Sequence, residues 1–455
     1  MDLLTEILST QAMWGAIIAT ISFVLIGYLA TKKNILSKET NGRLSKFTIN
    51  FILPFLCISA FMQKADASKA IEIGIVLGLS VAFYITFSIM SWVITNYFPK
   101  LIPNYINRKA EELFHEKNLN SENPITKEYA SQYIVNNYRA KLTTTQMMIV
   151  YGSLQFFAYP LIKSLSTTPI FDSFTLALAQ TWCIPFMIGA FSIVPIMYSG
   201  EKFNRKHLTP IAKSLLSPMM ICLYISLILW SIQFIPFFQN STNKYINNFW
   251  GNFGSNFPFI NKTIQTGTSI VSPLAWIVIG GSLAASNLKE AVKDKMVWIT
   301  TARKLMVLPA FIFVVTLILV IPFTNKLNVV NYDVVSQEVA QNAAYAFEHN
   351  NQYYLVKSAE NVGLISRQTG VMLVLLAATP PATTCVLFAT NYKHPYTGYT
   401  AEVSSLSTLL AIIAMPLWIL ISYLTYTLIV RVNIDANNFT QAKEFIIQAL
   451  QQVVV

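Results

Sequence analysis

Ten predominantly apolar runs, separated by polar and basic segments, fill residues 13–429. They fall at about 13–30, 44–62, 71–97, 145–164, 174–198, 208–234, 271–285, 298–321, 370–392 and 403–429. Most approach the roughly 20 residues that an α-helix needs to cross a bilayer. Hydrocarbon offers the backbone no hydrogen-bond partner, so each such run must close its own N–H and C=O groups as a helix. The composition agrees: 54% of residues are hydrophobic and 12% charged, against about 25% charged in soluble domains. Mean hydropathy is +0.49.

The formal charge is +11, from 32 Lys and Arg against 21 Asp and Glu. A nucleic-acid partner would need these cations on one exposed face. They stand instead in short clusters between the apolar runs, as membrane orientation requires. The segments 31–46, 98–145, 200–213, 286–304 and 393–402 together hold 22 of the 32 basic residues. By the positive-inside rule these five segments are cytoplasmic and both termini lie outside, in a multi-pass protein of the cell membrane. Asp2 and Glu6 precede the first run and no basic residue does. That is not the start of a cleaved signal peptide, so the first run is expected to remain as a span.

Four cysteines (Cys57, Cys183, Cys222, Cys385) lie in apolar runs without a C-x-x-C pair. They read as small hydrophobes, with no disulfide frame and no metal site. No cofactor is expected. No pair of deeply placed carboxylates is available for acid–base chemistry, since Glu72, Asp172 and Glu402 fall near span ends. No GxxxxGK[ST] loop is present for ATP. The chain is therefore read as a non-enzyme. Gly280-Gly281 is read as close helix packing.

Two spans differ from the rest. The run 370–392 is interrupted at its centre by Thr379-Pro380-Pro381-Ala382-Thr383-Thr384, where adjacent prolines remove two donors. The run 145–164 is interrupted by Gly152, Ser153, Gln155 and Pro160. Open backbone at membrane depth needs protein or a water-filled cavity around it. Counted as spans 4 and 9, the two hold matching positions if the chain divides five and five near Gly200. An odd number of spans per half makes the second half inverted, with a binding site where the interrupted helices meet. The expected fold is an all-α polytopic membrane protein. Its ten transmembrane helices form two inverted five-helix repeats, with broken crossover helices 4 and 9. The first repeat is 1–199, with a cytoplasmic insert 98–141. A cytoplasmic linker 200–207 follows. The second repeat is 208–430, with an extracellular insert 322–368, and 431–455 is a C-terminal tail. The insert 98–141 reads as partly a surface helix, and 235–269 as a loop with interfacial aromatics. The stretch 334–354 has neither proline nor glycine and reads as a surface helix. The tail reads as an amphipathic segment on the membrane.

Three places resemble the auxin efflux carrier family, whose bacterial members include malate and other organic-acid permeases. They are residues 27–61, residues 272–284 followed by Arg303 and Lys304 ahead of LMVLP, and LLAATPPATTCVLFATNYKHP (375–395) followed by STLLAIIAMPLWILI. The inserts lie outside the resemblance. It implies crossed, unwound helices at spans 4 and 9. The family's Asn-x-x-x-x-Gly-x-Pro-like pattern corresponds to Ser153 through Pro160, with Ser for Asn and Ala158 for Gly. Its Pro-Pro/Ala-x-Asn pattern corresponds to Pro380 through Thr384, with Thr for Asn. Gln155 is the amide that remains.

The expected binding residues are Ser153, Gln155, Thr379, Thr383 and Thr384, with Arg303 as the nearest basic candidate. Pro160, Pro380 and Pro381 are the expected helix breakers. The resemblance implies a secondary transporter of a small organic anion of the malate type. The partners are that anion, a coupled proton or sodium ion and the lipid bilayer, not nucleic acid; a homodimer is left open. Competing readings are a membrane-embedded receptor or scaffold, and a transporter of another solute such as an amino acid.

Overall fold

A computed structural model describes residues 11–119, 125–166, 168–200, 205, 208–239, 241–286, 288–322, 327, 329–341, 343, 345–350, 352–432 and 436–454. Asp2, Glu6 and the linker 200–207, apart from Gly200 and Arg205, lie outside the described residues. The chain is mostly helical. The first half runs α1 (Gln11–Lys32), α2 (Lys38–Phe47), α3 (Leu53–Phe61), α4 (Ala67–Leu101), α5 (Pro103–Leu119), α6 (Lys127–Val150), α7 (Tyr159–Leu165) and α8 (Thr175–Ser199). The second runs α9 (Leu208–Leu215), α10 (Pro218–Ile232), α11 (Pro258–Ala284), α12 (Lys295–Ala302) and α13 (Leu308–Val320), then β1 (Val329–Val335), β2 (Ala346–His349) and β3 (Gln352–Glu360). It ends with α14 (Arg367–Ala377), α15 (Thr383–Asn391), α16 (Thr397–Val430), β4 (Arg431–Val432) and α17 (Ala436–Val454).

Among the described residues seven helical stretches are long and apolar enough to cross a membrane. The pair α9 and α10, bent by 57° at residues 216–217, makes eight. The interrupted pairs α6/α7 and α14/α15 are additional, so the arrangement is compatible with ten spans.

Local chemistry sets the helix ends. Asp66, Thr126, Asp294 and Ser366 each accept a backbone N–H of the first turn that follows. Gly200 closes α8 in the left-handed region at φ 68°, where a side chain would be strained. Three prolines shape their helices differently. Pro54, Pro160 and Pro309 each stand two residues after a five-residue π-turn: Thr48–Ile52, Leu154–Ala158 and Arg303–Val307. In each, the residue before proline donates its N–H to the carbonyl five residues back. A proline ring clashes with the carbonyl four residues before it, and the wider turn makes room.

The spans pack as two groups. In one, α1 and α11 lie backbone to backbone, with α2, α3 and α10 beside them. A methyl on Gly27 would meet the Ile277 carbonyl at 2.1 Å, and one on Gly280 the Val24 carbonyl at 2.0 Å. Asn41 secures the contact by donating to the carbonyl of Val278 at 3.0 Å. In the other group α4 packs on α6 and α8, and α14 lies between α13 and α16.

The insert 98–141 contains the mostly exposed helix α5, in keeping with a partial surface helix, and its second part starts α6, which runs unbroken from Lys127 into the membrane part. Two expectations are corrected. The region 235–269 is helical from Pro258, so span 7 is the 27-residue α11 rather than a short run. The stretch 334–354 is helical only at Gln337–Gln341; most of its other described residues belong to an antiparallel sheet ordered β1-β3-β2, with β4 on the end of β3. Tyr354 and Val356, two apart on β3, are buried with Phe347 against Ala442 and Ile446 of α17. The apolar face of the tail is thus taken up, in large part, by this sheet instead of by the membrane surface.

Candidate functional site

The two interrupted spans meet where neither is helical. α6 ends at Val150 and α14 at Ala377. The backbone of Ser153 donates to Pro380 O at 2.7 Å, and that of Ala382 to Tyr151 O at 2.9 Å, an antiparallel bridge between Gly152 and Pro381. Each break thus satisfies the open backbone of the other, which is what allows two unwound segments at membrane depth. Only glycine fits at the contact. A methyl on Gly152 would lie 2.1 Å from Thr379 Oγ1 and 3.2 Å from Lys304 Nζ.

Four helix ends converge here: the C-termini of α6 and α14, and the N-termini of the turn after Ser153 and of α15. Carbonyl ends favour a cation and N–H ends an anion. The side chains expected at the site divide. Ser153 is buried, and its hydroxyl caps no helix. Thr379 is fully buried, but its hydroxyl is occupied, donating to Leu376 O at 2.7 Å. Thr384 Oγ1 is shielded from solvent and has no partner among the described residues. Thr383 is exposed in the first turn of α15. Gln155 lies between α8 and α10, its Nε2 3.2 Å from Met219 Sδ and 4.0 Å from Met187 Sδ. Thioether sulfur is a weak acceptor, so this amide keeps most of its hydrogen-bonding capacity.

Two residues depart from their expected roles. Pro160 does not break its helix. It sits in the first turn of α7, continuous with the π-turn ahead of it, and the break is at Tyr151–Ser153. Arg303 is exposed and does not reach the crossing, whereas its neighbour Lys304 is 1% exposed beside Gly152. Both open the π-turn Arg303–Val307, and one residue along a helix is a rotation of about 100°. Pro309, five residues after Lys304, follows this turn, but nothing in the sequence distinguishes it from the prolines that lie inside α-helices. Gln180 on α8 is a further residue that sequence reasoning missed. It is fully buried, and neither Nε2 nor Oε1 has a partner among the described residues.

A second polar cluster fastens one end of the bundle. Lys69 Nζ lies 2.8 Å from Asp172 Oδ2 and 3.6 Å from Glu72 Oε2. Glu72 also accepts Ser366 N at 2.6 Å and Thr369 Oγ1 at 2.7 Å, tying the start of α14 to that of α4. Burial pushes the Asp172 carboxyl up, but Lys69 and the donors of Thr175 outweigh it and hold it below the usual carboxylate range. Among the described residues no group of three His, Cys, Asp or Glu side chains could hold a metal ion.

A multi-pass bundle around two crossed, interrupted helices, with unspent donors at the crossing, is the architecture of a membrane transporter. Residues 12–104 and 125–419 match the membrane transport protein family. The chain belongs to that family, the auxin efflux carrier family. No curated protein matches it.

Proposed function

We propose that the protein is a secondary transporter that moves a small, malate-like organic anion across the cell membrane by alternating access, with both termini outside. The single observation that carries this reading is the crossing, where Tyr151–Ser153 and Pro380–Ala382 pair with each other instead of continuing as helices. A packing kink in one helix needs no such partner. Unspent hydrogen-bonding groups at Thr384, Gln155 and Gln180 fit a polar solute. Transport is coupled to protons or to the membrane potential in this reading, with sodium as the second choice.

Proteoliposomes screened with dicarboxylates, monocarboxylates, amino acids and indole acids test it. Thr384→Val keeps the shape and removes the hydroxyl. A hydrogen bond to a charged group is worth about 1.5–3 kcal/mol, so anion affinity is expected to fall about tenfold or more. Thr383→Val should cost less, because Thr383 is exposed, and Thr408→Val, away from the break on α16, should change little. Uptake of a cation or neutral solute alone defeats the anion reading. Binding without uptake makes the chain a receptor.

A further inference from the structure

Lys304 is the one lysine among the described residues with almost no solvent contact, at 1% exposure. Among those residues its ammonium forms no hydrogen bond and no ion pair with a carboxylate. An isolated ammonium in a medium of low polarity is strongly disfavoured and tends to shed its proton. A protein retains such a group in a span where it has a use. Its position supplies one: Nζ stands over Gly152, at the bridge between the two interrupted spans. The π-turn that aims it there is a second feature often found at functional sites.

The neighbours bring no counter-charge. The π-turn packs against α6, α12, α13 and α16. On α16 the carboxylate Glu402 faces Asp294 and Glu290 instead. On α6 the charged groups Lys127, Glu128, Arg139 and Lys141 and the ring of Tyr138 form no ion pair or hydrogen bond with Lys304 among the described residues. Lys295, in the first turn of α12, forms none either, and α13 has no charged residue. The ionisable side chain acting on Lys304 is the thiol of Cys385 on α15, itself fully buried.

We propose that Lys304 carries both charges of the transport cycle, its ammonium binding a carboxylate of the solute at the crossing and surrendering its proton when the solute leaves. This rests on the anion reading above and assigns its counter-charge and its coupling. The loaded site holds Lys–NH3+ against R–COO−. On release the carboxylate leaves with its charge, one proton passes from Nζ to water, and Lys–NH2 returns empty. One proton therefore crosses with each carboxylate neutralised. A monocarboxylate moves without net charge, and a dicarboxylate carries one negative charge.

Full-length protein in proteoliposomes holding a pH-sensitive dye, offered malate or lactate, tests this. The unaltered protein is expected to acidify the lumen by one proton per anion taken up. Its initial rate should rise several-fold with acid outside. Lys304→Gln should weaken anion binding at least tenfold without lowering the melting temperature of the empty protein. Lys304→Arg keeps a charge that does not titrate, so it should exchange anion across the membrane yet lose the response to a pH gradient. A proton-to-anion ratio of zero in the unaltered protein overturns the proposal whatever the variants do. So does Lys304→Gln with unaltered affinity, or Lys304→Arg with an unaltered gradient response; in these cases anion transport itself still stands. If the unaltered protein takes up no anion, the underlying reading fails first.

Discussion

Gly152 is the residue on which the crossing depends most directly, because two side chains already occupy the space a methyl would take. Thr379 cannot retreat easily: it is fully buried and its hydroxyl is held by Leu376 O. Gly152→Ala must therefore push the two interrupted spans apart or break that bond. Overpacking of this kind costs about 1–3 kcal/mol. The variant is expected to unfold at lower temperature in detergent and to lose transport. Gly78, inside α4, has nothing within 4 Å of its would-be Cβ. Gly78→Ala should leave transport intact and stability unchanged or up by about 0.5–1 kcal/mol, since alanine holds a helix better. Equal behaviour of the two variants in thermal unfolding would remove the crossing from its structural role.

At the scale of elements, the π-turns decide which way a side chain faces. Pro309→Ala removes the ring that holds the Arg303–Val307 turn open, and an α-helical register becomes available. Lys304 would then rotate by about 100° relative to α13. Anion affinity is expected to fall although Pro309 itself touches no solute, while the empty protein keeps or gains stability. Titration calorimetry with malate, beside a melting curve, checks both halves. Unchanged affinity would mean that something other than the π-turn aims Lys304. The same elements show what was legible in the sequence. Paired prolines and hydroxyls located one interrupted span, and Gly152, Ser153 and Gln155 the other, because a broken helix in lipid leaves a compositional mark. Which proline needs a π-turn left none: Pro99, Pro185, Pro195, Pro273 and Pro416 lie inside α-helices. The choice between Arg303 and Lys304 turns on that single extra residue of register. The strands around Phe347 and Tyr354 were illegible for another reason. Ala- and Gln-rich sequence favours helix locally, and packing against Ala442 and Ile446 of α17 overrides it.

Across the whole molecule, many span ends gather on one face. Lys69, Glu72 and Asp172 join the starts of α4 and α8 to that of α14. Gln233, just after α10, donates to Gln63 O just after α3 at 3.0 Å. Gly363 N donates to Val320 O, and Asn361 N to Val430 O, so α13 and α16 end together beneath the sheet. An even number of crossings must separate those two ends, as two further spans, α14/α15 and α16, provide. The segments rich in basic residues lie at the opposite ends of the same helices, so the prediction from the positive-inside rule is that the sheet and α17 lie outside. Single cysteines in a background without the four native ones test this with a membrane-impermeant maleimide on intact cells. Thr242→Cys and Glu348→Cys, at exposed positions, are expected to label at once. Glu116→Cys and Lys289→Cys, also exposed, should label only after the membrane is opened. The reverse pattern inverts the orientation and leaves the span count intact. Labelling of Thr242→Cys and Glu348→Cys from opposite sides is incompatible with ten spans. The expected division into two inverted five-span halves would then fail, and with it the expected correspondence of the interrupted pairs α6/α7 and α14/α15.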